Sequence, residues 1–133
     1  MYGYPAASRP GLFAYGLYAI PEMAMVGQTE EQLKERHVEY RSGIARYHDL
    51  AKAQITGDES GFMKVLFDPD SLKLLGVHII GDRAAEIIHI GQAVLSFGGT
   101  IEYFRDSVFA YPSIAEAYKL AALDGMHKGG ILP

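Results

Sequence analysis

Three short stretches carry residue types and spacings that could do chemistry. Gly76-Val77-His78-Ile79-Ile80-Gly81, followed by Asp82-Arg83, has the glycine spacing of a phosphate-cradling loop. Such a loop needs Lys and then Ser or Thr after its second glycine, to meet phosphate and magnesium. Asp82 stands in the Lys position and would repel phosphate, and the chain has no G-x-G-x-x-G stretch. No nucleotide site is expected from it. The second stretch is Glu86-Ile87-Ile88-His89, which sets a carboxylate and an imidazole on one helix face. Di-iron bundles use two such pairs plus two further glutamates. A two-fold dimer could bring two pairs together, but the ligand set is incomplete, so a hydrogen-bonded polar patch is expected and no metal. His37, His48, His78 and His127 show no ligand spacing, and no serine sits in a G-x-S-x-G setting.

The third stretch is Phe109-Ala110-Tyr111-Pro112-Ser113-Ile114-Ala115-Glu116. Pro112 fixes the approach to a helix, and the Ser113–Glu116 spacing is that of a capping box. Tyr111 and Glu116 therefore end close to the start of that helix. Composition alone reads the stretch as a strand-to-helix junction.

The elements that must position these residues follow from punctuation and period. Residues 1–16 are rich in Tyr, Gly, Pro and Ala, and read as an irregular arm. Met23–Val26, ended by Gly27, is a first strand, and Thr29-Glu30-Glu31-Gln32 is a capping box opening a short polar helix to about His37. Tyr40–Ala45 and Ala51–Thr56 are β-compatible. Phe62–Phe67 and Leu72–Ile80 are stronger strands, joined by the turn Asp68-Pro69-Asp70-Ser71 into an antiparallel hairpin. From about Asp82 to Phe97 the period becomes helical, and apolar residues occupy almost every side. Such a helix is buried on more than one side. Thr100 caps a short helix over IEYFRD. A last helix runs to about Met126 with a small apolar face of Ile114, Tyr118, Ala121 or Ala122, and Gly125, before a tail at 129–133. This order is α+β: an antiparallel sheet of four to five strands with helices packed on one face.

Composition narrows the function. The 133 residues fit one domain, with 49% hydrophobic and 21% charged residues. No apolar run approaches the ~20 residues that span a bilayer. MYGYPAASRPG lacks the basic start and apolar core of a secretory signal, so a cytoplasmic location is expected. Net charge is −4 and the twelve basic residues are scattered, which argues against nucleic acid and anionic membranes as partners. There is no cysteine. A disulfide, a thiolate metal site and a redox-active thiol pair are excluded within these residues, and redox chemistry needs a cofactor or another polypeptide.

From Leu17 to about Lys128 the chain resembles the dimerisation domain of the pyridine nucleotide–disulfide oxidoreductase family. YAIPEMAMVGQTEEQL, KVLFDPDSLKLLGVHIIGDRAAEIIHIGQAVLSFGGTIEYF and YPSIAEAYKLAAL carry the resemblance in order and spacing. It implies a homodimer with an interface helix presenting Glu86, Ile87, Ile90, Gly91 and Val94. It also implies an active site shared between subunits. In lipoamide dehydrogenases and glutathione reductases a His-Pro-Thr segment with a Glu one turn later reaches the partner's flavin and disulfide. Here Tyr111 takes the His position, with Pro112, Ser113 and Glu116 matching the rest. A phenol with an ordinary pKa near ~10 is a poor proton shuttle for a thiol at neutral pH. AAEIIHIGQA, TIEYF and the Tyr before Pro112 look most like the soluble pyridine nucleotide transhydrogenase branch, which moves hydride between NADPH and NAD through FAD.

The resemblance places Tyr111 and Pro112 against flavin only in a full-length context, with FAD and NAD(P) held by domains that family members carry ahead of this region. The isolated chain is therefore expected to bind neither cofactor tightly and to be inactive alone. The alternative is a subunit that completes the active site of a separately encoded, lipoamide dehydrogenase-like flavin oxidoreductase, with Glu116 orienting Tyr111.

Overall fold

The computed structural model describes residues 12–132. Five strands form one antiparallel sheet: β1 (Tyr15–Leu17), β2 (Met23–Gly27), β3 (Arg41–Arg46), β4 (Phe62–Phe67) and β5 (Leu74–Ile80), in the order β1-β2-β5-β4-β3. The helices are α1 (Glu30–Glu35), α2 (Ala51–Thr56), α3 (Ala84–Ser96), α4 (Glu102–Asp106) and α5 (Ala117–Lys128). The α+β architecture expected from the sequence is the one observed.

Register decides which side chains share a face, because directly paired residues point the same way. One row runs Leu17–Met23–Ile80–Phe62–Arg46 and the next Tyr15–Met25–His78–Lys64–Ile44. The opposite face carries Ala24, Val26, Met63, Val65, Val77 and Ile79, all buried in the main core with Ile88 of α3 and Tyr118, Ala121 and Ala122 of α5. α3 packs on β2 and β5, and α5 on β3 and β4. α1 lies at the rim of the other face, where Glu30 reaches Lys64 at 2.6 Å.

Local chemistry sets the element ends. Thr29 Oγ1 accepts from the Gln32 amide at 3.3 Å and Gln32 Oε1 from the Thr29 amide at 3.1 Å, the capping box in both halves. In the β4–β5 turn, Asp68 Oδ1 accepts from the Asp70 and Ser71 amides and the Ser71 hydroxyl. Those bonds hold the Asp68 carboxyl below its ordinary value, the Ser71 amide contributing most.

Three expectations are corrected. Ala51–Thr56 is the helix α2, not a strand. Leu50 and Ala53 are buried three residues apart, Ala, Lys and Gln are good helix formers, and Gly57 closes the turn at φ 75°. The sheet starts earlier than residue 17: Tyr15–Leu17 pairs with Met23–Met25, and Leu12 and Ala14 pack on the core. The rest of the expected arm, residues 1–11, lies outside the described residues. Thr100 does not cap α4, whose N-cap is the helical Ile101. The expected tail also has a place, since the Ile131 amide bonds the Met126 carbonyl at 2.9 Å and Ile131 and Leu132 pack on the core.

Candidate functional site

The segment from Ser107 to Glu116 is a connection between α4 and α5, held at several points by its own neighbours. Lys119 Nζ donates to the Ser107 carbonyl at 3.1 Å. The Phe109 ring stacks on Tyr118 with centroids 6.5 Å apart, and Tyr118 packs on Phe104 at 4.6 Å. Ile114 is buried under the 3₁₀ turn Ile114–Glu116 that leads into α5. Between these anchors Val108 and Tyr111 stand out, 95% and 76% exposed. Rigid flanks with protruding apolar tips suit a contact with another body.

Tyr111 and Glu116 are close in sequence but not bonded to one another. Glu116 turns back, and its Oε2 accepts from the Ser113 amide at 3.4 Å as part of a capping box. The Tyr111 hydroxyl has no hydrogen-bond partner among the described residues. Within the described residues Glu116 caps the turn that leads into α5. The Tyr111–Pro112 peptide bond is cis.

The α3 residues divide between two directions. Gly91 and Val94 are buried inside the chain. A Cβ at Gly91 would lie 2.8 Å from Val77 Cγ2 and 2.9 Å from the Tyr118 hydroxyl. That hydroxyl accepts from the Gly91 amide at 3.0 Å and donates to the Ile87 carbonyl at 2.9 Å. The smallness of Gly91 therefore serves the contact of α3 with its own sheet and α5, a correction to its expected role toward a second helix. The small face of α5 is likewise buried in its own chain, where Gly125 sits against Gly43 and Phe67. Ile87 and Ile90 are half-buried against the core, and the outward stripe is Glu86, His89, Ala93 and Phe97. Phe97 is 91% exposed, and Tyr103, Val108 and Tyr111 on the following elements are exposed as well.

Sequence reasoning missed two positioning residues. Tyr118 belongs to the small apolar face of the last helix, yet its hydroxyl joins α3 to α5. Glu22, in the β1–β2 connection, accepts from the Ala85 amide at 3.2 Å through Oε2, while its carbonyl accepts from the Gly81 amide at 2.9 Å. Arg83 at the N-cap of α3 has a left-handed backbone and supplies no side-chain cap, so Glu22 meets one free amide, that of Ala85, from 63 residues away.

The stretches with glycine and Glu/His spacing have packing and hydrogen-bonding roles in the fold. Gly76 lies inside β5, where an added Cβ would meet the Gln28 carbonyl, and Gly81 packs on the Tyr47 ring. The glycine pair thus serves close packing within the fold. His89 Nδ1 lies 2.8 Å from Gln92 Oε1, and no cluster of three or more His, Cys, Asp or Glu among the described residues is placed to hold a metal. No helix among them is long and apolar enough to cross a membrane.

Comparison with known proteins matches this geometry. The family model described as pyridine nucleotide-disulphide oxidoreductase, dimerisation domain, matches residues 13–122. Soluble pyridine nucleotide transhydrogenase of Mycobacterium tuberculosis is 50% identical over 127 residues, 96% of this chain and 27% of that protein. The protein of the same name from Hahella chejuensis is 51% identical over 116 residues, 85% of this chain and 25% of its own length. The chain thus spans about a quarter of these relatives. Among solved structures, LpdA from Mycobacterium tuberculosis superposes with a TM-score of 0.81 at 20% identity, over 89% of this chain and 26% of that one. The HOCl-induced flavoprotein disulfide reductase RclA from Escherichia coli gives 0.80 at 24% identity, over 84% of this chain and 26% of its own. These two likenesses concern the fold.

Proposed function

The chain belongs to the pyridine nucleotide-disulphide oxidoreductase dimerisation-domain family, and from that premise we propose that it is the homodimeric association module of a cytoplasmic, soluble transhydrogenase-like flavoprotein. The observation that carries this reading is Tyr111, exposed at the tip of a connection whose two ends are anchored. A side chain presented so firmly, with no hydrogen-bond partner among the described residues, is suited to a surface supplied by another subunit. By resemblance that surface is the flavin-bearing part of the partner, which Tyr111 and Pro112 would line. The resident FAD would supply hydride acceptance and donation. The contribution of this chain would be to bind, to shape the wall and to exclude water.

A phenol in place of an imidazole supports hydride exchange over thiol relay. Among the described residues the Tyr111 hydroxyl has no hydrogen-bonded base, and the Glu116 carboxylate turns to the Ser113 amide. The half-identity to soluble transhydrogenases supports the same branch. Neither phosphate cradle is built by the described residues, so the chain alone should show no hydride exchange between NADPH and an NAD analogue, even with FAD added. A subunit that completes a separately encoded flavin oxidoreductase is the second reading, and the unpartnered Tyr111 hydroxyl favours it equally.

The test is light-scattering mass with flavin absorbance on the same peak. A colourless dimer near twice 14.6 kDa, converted to monomer by the pair Val108→Lys and Tyr111→Lys, is the expected result. Retention of dimer mass by that pair would remove the association surface from the helical side. A yellow peak from the chain alone would overturn the assignment of the cofactor to other residues.

A further inference from the structure

The histidines of the chain differ in what their rings can still bind. His78 lies in the floor of a groove on the open sheet face, the one away from α3 and α5, with both ring nitrogens buried. His48 Nε2 is taken up by Asp49 Oδ1 at 3.0 Å. His89 is exposed on α3, and its two nitrogens have different fates. Nδ1 lies 2.8 Å from Gln92 Oε1. The other end of that amide is fixed, since Gln92 Nε2 donates to the Leu12 carbonyl at 3.1 Å. An amide oxygen only accepts, so Nδ1 carries the ring proton and donates it to Gln92. The neutral ring keeps a bare lone pair on Nε2, which has no hydrogen-bond partner among the described residues. An imidazole whose second nitrogen is oriented by such a relay is in the form that binds a metal.

Glu86 stands three residues before His89, a spacing that sets two side chains about 5–6 Å apart on one helix face. Its carboxylate is exposed and has no ion pair or hydrogen bond among the described residues. One chain thus offers a carboxylate and an imidazole, too few to hold a metal. The pair is set in apolar surroundings, with half-buried Ile87 and Ile90 beside it and Ala93 and Phe97 further along the same stripe. A two-fold contact on this stripe doubles the pair, because an isologous interface brings the same residues of both copies together. It also sets two carboxylates into an apolar contact, where like charges without a partner are costly. A dication removes that cost. Two carboxylates and two neutral imidazoles cancel its charge and supply four nitrogen and oxygen ligands, the number and kind that suit tetrahedral zinc.

We infer that Glu86 and His89, with the same pair from a second copy of the chain, form a zinc(II) site on the two-fold axis of the dimer. Gln92 is its positioning residue. The inference rests on the homodimer of the proposed function. It goes beyond the Glu–His spacing in the sequence, because the tautomer of His89 is set through Gln92 by a carbonyl 80 residues from it.

The test uses the full chain, stripped of metal with a chelator and titrated with zinc chloride by calorimetry, while light scattering follows the mass. The expected stoichiometry is about half an equivalent of zinc per chain, one ion to each dimer. His89→Gln should weaken zinc binding by about a hundredfold or more, and Glu86→Gln, which keeps the shape and removes the charge, by about tenfold or more. Gln92→Leu removes no ligand, yet should weaken zinc binding by about tenfold while the metal-free melting curve stays as in the parent. Magnesium, which prefers octahedral oxygen sites, should not compete. One zinc per chain, or binding unchanged in His89→Gln, would overturn the inference. A metal-free dimer that takes up no zinc overturns the inference alone. Monomer mass with and without zinc overturns the dimer of the proposed function, and the shared site with it.

Discussion

The hydroxyl of Tyr118 in α5 stands between the amide of Gly91 and the carbonyl of Ile87 in α3, at 3.0 and 2.9 Å. Those two groups are the donor and acceptor of one helical i→i−4 pair, so a side chain from another helix bonds into the backbone ladder of α3. Burial raises the Tyr118 pKa strongly, and the phenol stays protonated and able to donate at any physiological pH. The bond fixes where α3 sits relative to the start of α5, and hence relative to Tyr111.

Tyr118→Phe keeps the ring against Phe104 and Phe109 and removes the bridge. It should lower stability to urea by about 1–2 kcal/mol, with the secondary structure retained. Gly91→Ala should cost more, about 1–3 kcal/mol, because its Cβ meets both Val77 and the Tyr118 hydroxyl. In the double variant the two losses should fall short of their sum, since removing the hydroxyl relieves one of the two contacts. Full additivity would mean that the Tyr118 hydroxyl does not confine Gly91.

Gly43 and Gly125 set the approach of α5 to β3. A Cβ at Gly43 would run into the Ala121 carbonyl oxygen, and one at Gly125 would lie 2.7 Å from Phe67 Cε1. Asp124 reinforces the approach, its Oδ2 accepting from the Ile44 amide at 2.8 Å. Gly43→Ala should therefore push α5 off the sheet and cost more than about 3 kcal/mol, seen as lost cooperative thermal unfolding. A melting curve within a few degrees of the parent would show that α5 can slide without penalty.

What could be read in the sequence was local. The Thr29–Gln32 box, the Asp68 turn and the β4–β5 hairpin each declare themselves within a few residues, and all are present. The all-round apolarity of α3 announced burial on more than one side, but within the chain Ala84, Ile88, Gly91 and Val94 are buried on one face while Glu86, His89, Ala93 and Phe97 stand exposed on the other. Which of its residues face inward was not legible, because the direction of Gly91 is set by a hydroxyl 27 residues away. The Glu22 cap has the same character across 63 residues. The six residues of α2 are too few to display a helical period, and the three of β1 display none. For the site, Tyr111, Pro112 and Glu116 were found as a segment. The capping role of Glu116 and the exposure of Val108 needed the packing around them.

Glu30 joins α1 to the sheet. Its carboxylate accepts from Lys64 Nζ at 2.6 Å and from the Tyr40 hydroxyl at 2.8 Å. The Lys64 bond is the largest cause of its lowered pKa, followed by the Tyr40 bond. A carboxyl depressed in the folded chain stabilises above its unfolded pKa, and that contribution is lost as pH falls through the folded value. Glu30→Gln should cost about 0.5–1 kcal/mol at pH 7, less in high salt because the pair is partly solvated. The difference between parent and variant should vanish in acid, and a difference that persists there would assign it to packing.

His78 supplies the opposite dependence. Both ring nitrogens are buried without a hydrogen-bond partner. Desolvation lowers its pKa most and Lys64, paired with it across the strands, adds to this, while Glu30 and Glu31 act the other way. The unfolded imidazole titrates near ~6.5, so between that value and the lower folded one the unfolded chain holds more protons. Stability should consequently decline as pH drops below about 6.5, with a slope from this residue of at most about 1.4 kcal/mol per pH unit. Urea midpoints at pH 7.5 and 5.5 measure it, and His78→Gln should flatten the decline while Glu30→Gln should steepen it. An unchanged pH profile in His78→Gln would show that the imidazole takes up its proton in the folded groove, and that the floor of the open sheet face is wet.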